Sequence, residues 1–389
     1  MADYTILTTQ QHLDDFQADH QDIDWIAIDT EFIGEKRYQT LLCLVQLATP
    51  KGLYIFDVIQ LPHIQPIIDL VIDEKVLKIS HAGENDYRLL HELFDITPRN
   101  IFDTQIAAGF IGYRYPISFR ALVKDEMQQR VNKVQTVTDW ERRPMKKRQI
   151  QYALDDVIPL KRLYDRLHGK IDRLGRTAWV AEEMEKWEQE VYYEKDPHRE
   201  FFNHNQLSRL PEKQQLFLLR LYEWRRALAE KRNHSKDMIL AKRNISPILK
   251  SIHLGMDGLR NNRLVSDRFV KRYADDMLDL YESPISAEEQ KLLDQIKPAA
   301  IIDTRKDIKL EILYSLIQYR CLEQKIAPEM VITRGQFKRL KEDDDRKLPQ
   351  LRQGWRHQIL GIVLSEALQH RDRLKIDMRE HEMALKIEG

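Results

Sequence analysis

Cysteine is almost missing from this chain: Cys43 and Cys321 are the only two in 389 residues. They lie far apart, and neither sits in a Cys/His cluster, which argues against a disulfide framework and a structural zinc site. Glycine is scarce at 13 residues, while charged residues reach 32%, above the roughly 25% of ordinary globular chains. That pairing favours a helix-rich soluble protein. No apolar run approaches the roughly 18 residues needed to span a bilayer; the run 41–48 is among the longest and contains Gln46. The opening Met-Ala-Asp-Tyr turns acidic within two dozen residues and lacks the basic-then-apolar form of a secretion signal. A cytoplasmic protein with no membrane association is the expectation, built at this length from two or three domains.

Net charge is also absent, with Lys+Arg 62 against Asp+Glu 62, but the balance conceals an asymmetry. Residues 1–200 hold 26 basic and 34 acidic side chains, a net of −8, and residues 201–272 hold 16 and 6, a net of +10. An acidic first part joined to a basic helical module suits a metal-dependent enzyme with a separate polyanion platform. The plain alternative is a solvated helical face with no partner.

The first 170 residues have the pattern of a mixed α/β domain. Short apolar runs at 25–29, 42–48, 53–57 and 76–80 predict strands, the middle two separated by Thr49-Pro50-Lys51-Gly52. Residues 84–94 switch to helical spacing, 100–103 predict a brief extended stretch, and 146–164 predict a long helix kinked at Pro159. Beyond about residue 179 the pattern predicts helices alone. A Glu-rich connector precedes two helical units that share an order: a long amphipathic helix, a short break, then Met-Ile-Leu (238–240) or Met-Val-Ile (330–332). This predicts a diverged tandem repeat. The expected domains are 1–175, a connector over 176–205, and helical domains over 206–285 and 286–389.

Within the first domain the acids are patterned. Asp29 and Glu31 close the first long strand and share a face if the strand continues to 31. Asp86 lies on an apolar stripe with Leu89, Leu90 and Leu93, so its carboxylate needs a partner or a metal. His81, just before it, is either a ligand or substrate contact or a hydrogen-bonded structural histidine. Tyr152 and Asp156 are four apart on a helix and share its face, whereas Asp155 falls on the polar side with Arg148, Gln151 and Arg162. Four acids converging from separate elements suit two hard divalent cations, Mg²⁺ or Mn²⁺, better than a general acid–base pair. Two such ions activate a water and stabilise the leaving oxygen of a phosphodiester.

These residues, in this order, resemble the DEDD exonuclease superfamily, tyrosine subclass, and specifically the ribonuclease D family. The matching segments are Asp29-Thr30-Glu31-Phe32, then His81-Ala82-Gly83-Glu84-Asn85-Asp86, and Gln151-Tyr152-Ala153-Leu154-Asp155-Asp156-Val157. Cys43–Leu47 and Phe102–Ala108 match as flanking strand and helix, and the two helical units resemble paired HRDC domains. The resemblance implies a ribonuclease H-like mixed sheet with flanking helices, followed by two all-α HRDC-like domains. It implies a 3′→5′ exoribonuclease releasing 5′-mononucleotides from structured RNA such as tRNA precursors, with no obligate protein partner evident. By the same resemblance Asp29 bridges two metals, Glu31 and Asp156 hold the one that activates water, and Asp86 supports the leaving-group metal through waters. Tyr152 then orients the nucleophile and Phe32 packs near the terminal nucleotide. The basic segment 130–150, with Arg130, Lys133, Arg142 and Arg143, is a candidate track for the incoming strand. Arg225 and Arg226 are candidate phosphate contacts on the basic helical unit. Two other readings stay open: a DNA-directed exonuclease of the same fold, since no residue here identifies a 2′-OH contact, and a non-catalytic RNA-binding scaffold.

Overall fold

A computed structural model describes residues 3–129, 139–298, 303–342, 349–379 and 382–387. The chain divides into two compact units, one built from residues 1–32, 42–194 and 301–389, the other from 33–41 and 195–300.

The first unit opens with β1 (Thr5–Leu7), α1 (Gln10–Asp19), β2 (Trp25–Ile33), β3 (Leu41–Thr49) and β4 (Gly52–Asp57). It continues through α2 (Gln65–Ile72), β5 (Leu77–Ser80), α3 (Glu84–Phe94), β6 (Ile101–Asp103), α4 (Thr104–Gly109) and α5 (Phe119–Met127). After these come α6 (Lys147–Val157), α7 (Leu160–Arg173) and α8 (Thr177–Met184). The six strands form one sheet in the order β1-β4-β3-β2-β5-β6. β3 and β4 pair antiparallel around the expected turn, with Gln46 opposite Ile55, while β2–β5, β5–β6 and β1–β4 are parallel. The four strands expected from the apolar runs and the extended stretch at 100–103 are all present. β1 was not expected, because three residues are too few to display an alternation. The expected long helix is two, α6 and α7, with Pro159 at the junction, where its missing N–H and its ring interrupt the hydrogen-bond ladder.

The second unit is helical: α9 (Arg199–Phe202), α10 (Glu212–Arg232), α11 (Lys236–Ile239), α12 (Ile245–Ser251), α13 (Gly255–Asn261), α14 (Asp267–Glu282) and α15 (Ala287–Leu293). Its core gathers Phe217, Leu221, Ile248, Met277 and Leu293 among others. The expected boundary at 286 therefore moves to about 300. Arg220 shows why: its Nε and Nη2 reach both oxygens of Glu289 at 2.6 and 2.9 Å, and its Nη1 donates to Leu280 O and Ser283 O at 2.8 Å. One buried guanidinium thus ties α15 to the end of α14. The Arg220 hydrogen bond holds the Glu289 carboxyl down at about 2.

The chain then returns to the first unit as α16 (Thr304–Glu323), α17 (Pro328–Val331), α18 (Arg334–Glu342), α19 (Gly354–Gln369), β7 (Leu374–Arg379) and β8 (Glu382–Ile387). An all-α segment over 286–389 needs correction, since β7 and β8 form an antiparallel hairpin with Leu374 opposite Ile387 and Ile376 opposite Leu385. Among the described residues these helices share a core with the nuclease. Leu310, Ile317, Phe337 and Trp355 join one cluster with Phe56, Phe110 and Leu163. Trp355 sets its ring edge-on to Phe110 at 4.7 Å, Arg356 pairs with Glu183 at 2.7 Å, and Ala327 N donates to Gly109 O at 2.9 Å. The expected connector is likewise part of this unit as far as residue 194, with Trp187 and Tyr193 buried in the same core.

Candidate active site

Strand β2 supplies the first two acids. Alternation puts Ala27, Asp29 and Glu31 on one face, and Ala27 packs there against Ile79, Val157 and Leu160. The face that carries the acids is therefore the one covered by the end of α6 and the start of α7, and α6 brings Asp156 to it. Asp29, Glu31 and Asp156 each offer one oxygen, and the three oxygens lie within 4.8 Å of one another.

Carboxylates this close and this buried resist ionising together. Burial, then the charges of Asp86, Asp156 and Glu31, push the Asp29 carboxyl well above the usual carboxylate range. Burial followed by Asp156 and Asp86 pushes Glu31 up to about 8. Burial raises Asp156 to about 6, with the Tyr152 hydroxyl and the Arg120 cation holding it back. Such a donor set fits hard divalent cations, whose charge would let every carboxyl ionise at neutral pH.

Asp86 stands outside that trio among the described residues. It occupies the first turn of α3, half-buried, and accepts a hydrogen bond from the Thr30 hydroxyl. Burial pushes it up to about 6 while the Thr30 bond opposes the shift. Its position depends on the turn after β5. Gly83 N donates to Asp103 Oδ2 at 2.9 Å, and a Cβ on Gly83 would come within 2.6 Å of Ser80 Oγ. Only glycine lets the chain close so tightly onto Asp103. Asp103 also caps α4, accepting from Gln105 N and Ile106 N at 2.9 and 3.0 Å. This supporting acid had no assigned role from sequence, although an Asp between a strand and a helix carries the N-cap signature.

Tyr152 donates its hydroxyl to Asp156, one turn further along α6. Burial and the charges of Asp156, Glu31 and Asp29 raise its pKa, so the phenol keeps its proton. Asp155 points elsewhere and accepts from Gln151 Nε2 at 2.6 Å, as its polar-face position predicts.

The remaining candidates separate sharply. Phe32 follows Glu31 and is 38% exposed. Arg142 is exposed, while Arg130 and Lys133 lie outside the described residues. His81 is tied within the fold: Nε2 donates to Ile117 O at 3.1 Å and Nδ1 meets the Thr104 hydroxyl at 2.9 Å. The structural alternative fits it better, because neither nitrogen is left for a substrate. Arg143 must also be reassigned. Its Nε and Nη2 clamp Asp57, whose side chain is wholly buried, at 2.5 and 2.6 Å, and its Nη1 donates to Trp140 O at 2.7 Å. Arg225 is only 1% exposed and donates to Leu240 O at 2.7 Å, to Lys236 O at 3.1 Å and to Glu200 at 3.3 Å. It cannot grip a phosphate. Arg226 is half-buried, with Nη1 on Pro197 O at 2.9 Å.

Comparison with known proteins bears on the site. The profile of a 3′–5′ exonuclease domain family matches residues 4–172, which include all four acids and Tyr152. Ribonuclease D of Nitrobacter hamburgensis is 29% identical over 347 residues, covering 89% of this chain and 90% of that one. Ribonuclease D of Sphingobium indicum is 29% identical over 370 residues, 93% of each. The crystal structure of Escherichia coli RNase D, described as an exoribonuclease involved in structured RNA processing, shares the fold with a TM-score of 0.81 at 23% identity. It covers 95% of this chain and 98% of its own. Over most of its length this chain is homologous to ribonuclease D, and its residues 4–172 match a 3′–5′ exonuclease domain.

Proposed function

We propose that the protein trims RNA 3′ ends to 5′-mononucleotides with two bound divalent ions, Mg²⁺ or Mn²⁺, and that tRNA precursors in the cytoplasm are among its substrates. One observation carries the reading: Asp29, Glu31 and Asp156 bring their oxygens within 4.8 Å of one another on the face where Tyr152 meets Asp156. Divalent ions held there supply Lewis acidity, lowering the pKa of a water and offsetting charge on the leaving 3′ oxygen.

The side chains have distinct tasks in this proposal. Asp29, Glu31 and Asp156 would hold the ions, Asp29 as the ligand shared between them and Glu31 and Asp156 on the side where a water would be activated. Asp86, anchored by Thr30, would support the ion that offsets charge on the leaving oxygen. Tyr152 keeps its proton throughout and orients the attacking water by hydrogen bonding, so it moves no charge itself. Phe32 offers an exposed ring to the terminal base, and Arg142 lies on the basic segment that leads into α6. The helical segments after the nuclease are HRDC-like in this reading, and the basic one, net +10 over 201–272, gives the substrate a second hold.

The test is degradation of one RNA labelled at either end, with and without Mg²⁺. A 3′ label should appear at once as mononucleotide, while a 5′ label should shorten stepwise. Internal fragments, or undiminished activity in EDTA, would refute the proposal. A DNA strand of the same sequence measures the preference for ribose.

A further inference from the structure

The second unit contains a cavity of about 470 Å³, within the roughly 300–1,000 Å³ of small-ligand sites. Its wall comes from α9, the turn after it, the middle of α10 and the start of α12. Tyr222 and His204 contribute two half-buried rings, with centroids 6.3 Å apart and planes at 67°. Asn203, Asn205 and Gln206 contribute three side-chain amides. None of the three amides, nor the Tyr222 hydroxyl, hydrogen-bonds to any described residue. His204 Nδ1 accepts from the Gln206 backbone N–H at 3.3 Å, so its proton sits on Nε2, and burial lowers its pKa. It lines the cavity as a neutral donor.

The charge around this wall favours an anion. Glu200 is the one acid in the lining, and its charge is met by Lys236 at 3.0 Å, Arg225 at 3.3 Å and Lys242 at 3.4 Å. Arg199 is exposed at the cavity, and its guanidinium has no partner among the described residues. The wall therefore combines aromatic faces, uncommitted amides and surplus positive charge.

We propose that this cavity is a subsite for one unpaired nucleotide of an RNA strand. The base lies against Tyr222 and His204, its edge meets the amides, and its phosphate faces Arg199 and Lys242. A nucleotide offers all three matching features at once: a π-face, a hydrogen-bonding edge and a phosphate. A base inside a duplex offers none of its pairing edge. The inference rests on RNA being the substrate and adds that this unit selects unpaired strand.

Fluorescence anisotropy of the full chain in EDTA tests it, comparing a labelled single-stranded oligoadenylate with a blunt RNA duplex of equal length. Tyr222→Leu should weaken single-strand binding about fivefold to a hundredfold and duplex binding by less than about twofold. Arg199→Ala should do the same more mildly and reduce the salt slope by roughly 0.7. Since Tyr222 also packs against the unit's core, the exposed Asn205→Ala, which threatens no packing, should weaken the single strand selectively as well. Unchanged single-strand affinity in Arg199→Ala and Asn205→Ala would overturn the proposal. So would equal losses on both RNAs, which would mean a general basic face. Hydrolysis of a short strand in Mg²⁺ is measured separately: if the wild-type protein fails there, the exonuclease reading falls independently of the subsite.

Discussion

Metal binding at the acid cluster should release protons, and the number follows from the site. Glu31 sits at about 8 without a cation, so at pH 7 about nine in ten molecules carry a proton there. Asp86 and Asp156, at about 6, hold about a tenth of a proton each. Asp29 lies well above the ordinary range and adds up to about one more. Saturating the site with Mn²⁺ at pH 7 should therefore expel roughly one to two protons, since a carboxylate must be ionised to bind metal. Calorimetric titration in two buffers of different ionisation enthalpy gives the count from the change in apparent heat. The same linkage sets a pH profile. Apparent affinity should rise about tenfold or more per pH unit below 8. A count below about 0.3, or an affinity flat from pH 6 to 8, would refute the argument that mutual repulsion and burial keep this cluster protonated.

Other outcomes follow from the same geometry. Asp29→Asn should abolish turnover while leaving RNA binding near wild type; a residual rate above about a tenth, equivalent to roughly 1.4 kcal/mol, would contradict its central position. Tyr152→Phe should slow single-turnover hydrolysis with little change in metal affinity, and Asp155→Asn should be close to neutral where Asp156→Asn is not. Arg143→Ala strands the buried Asp57 carboxylate and should cost roughly 3–5 kcal/mol in urea unfolding. Lost RNA affinity at unchanged stability would instead restore Arg143 as a substrate contact. Without divalent ions, melting temperature should fall as pH rises from about 4.5 to 8. Glu31, Asp86 and Asp156 are raised above their unfolded values, so their contribution is full at low pH and disappears as they ionise. A melting temperature that climbs over that window would show that these shifts are absent.

The acid cluster was legible because each member obeys a local period. Asp29 and Glu31 are two apart on a strand, and Tyr152 and Asp156 are four apart on a helix, so one face of each element could be assigned from spacing alone. Asp86 was legible because a charge on an apolar stripe has to be satisfied. The same logic, applied to Arg225, would have removed it from the phosphate contacts: Leu218, Leu221 and Ala229 lie seven and four residues before it and four after, all buried. Counting charge over a segment cannot distinguish a buried guanidinium from an exposed one. Arg143 lacked even that clue, because its partner Asp57 is 86 residues away. The hairpin did carry a signal. Leu374, Ile376 and Met378 alternate with charged residues, as Met383, Leu385 and Ile387 do with other residues, but a helical neighbourhood made the period easy to overlook. The likeness between α10 and α16 was visible too, yet periodicity cannot say which core a helix joins.

That α16 and α19 complete the nuclease core has a consequence for how the chain is made. Synthesis delivers residues in order, and at roughly 5–20 residues per second a ribosome takes about 10–40 s to pass from residue 194 to the far end of this sequence. Throughout that interval β2, α3 and α6 already hold every acid of the cluster, but Phe110 still lacks Trp355, and Glu183 lacks Arg356. The intervening helical unit can fold by itself during the wait, since its own core is contiguous in sequence apart from residues 33–41. A nascent chain therefore carries its acids before the core that α16 and α19 share with the nuclease is complete. Late translation arrest or proteolytic clipping near residue 300 should leave an unstable remnant rather than an unregulated RNA-degrading fragment.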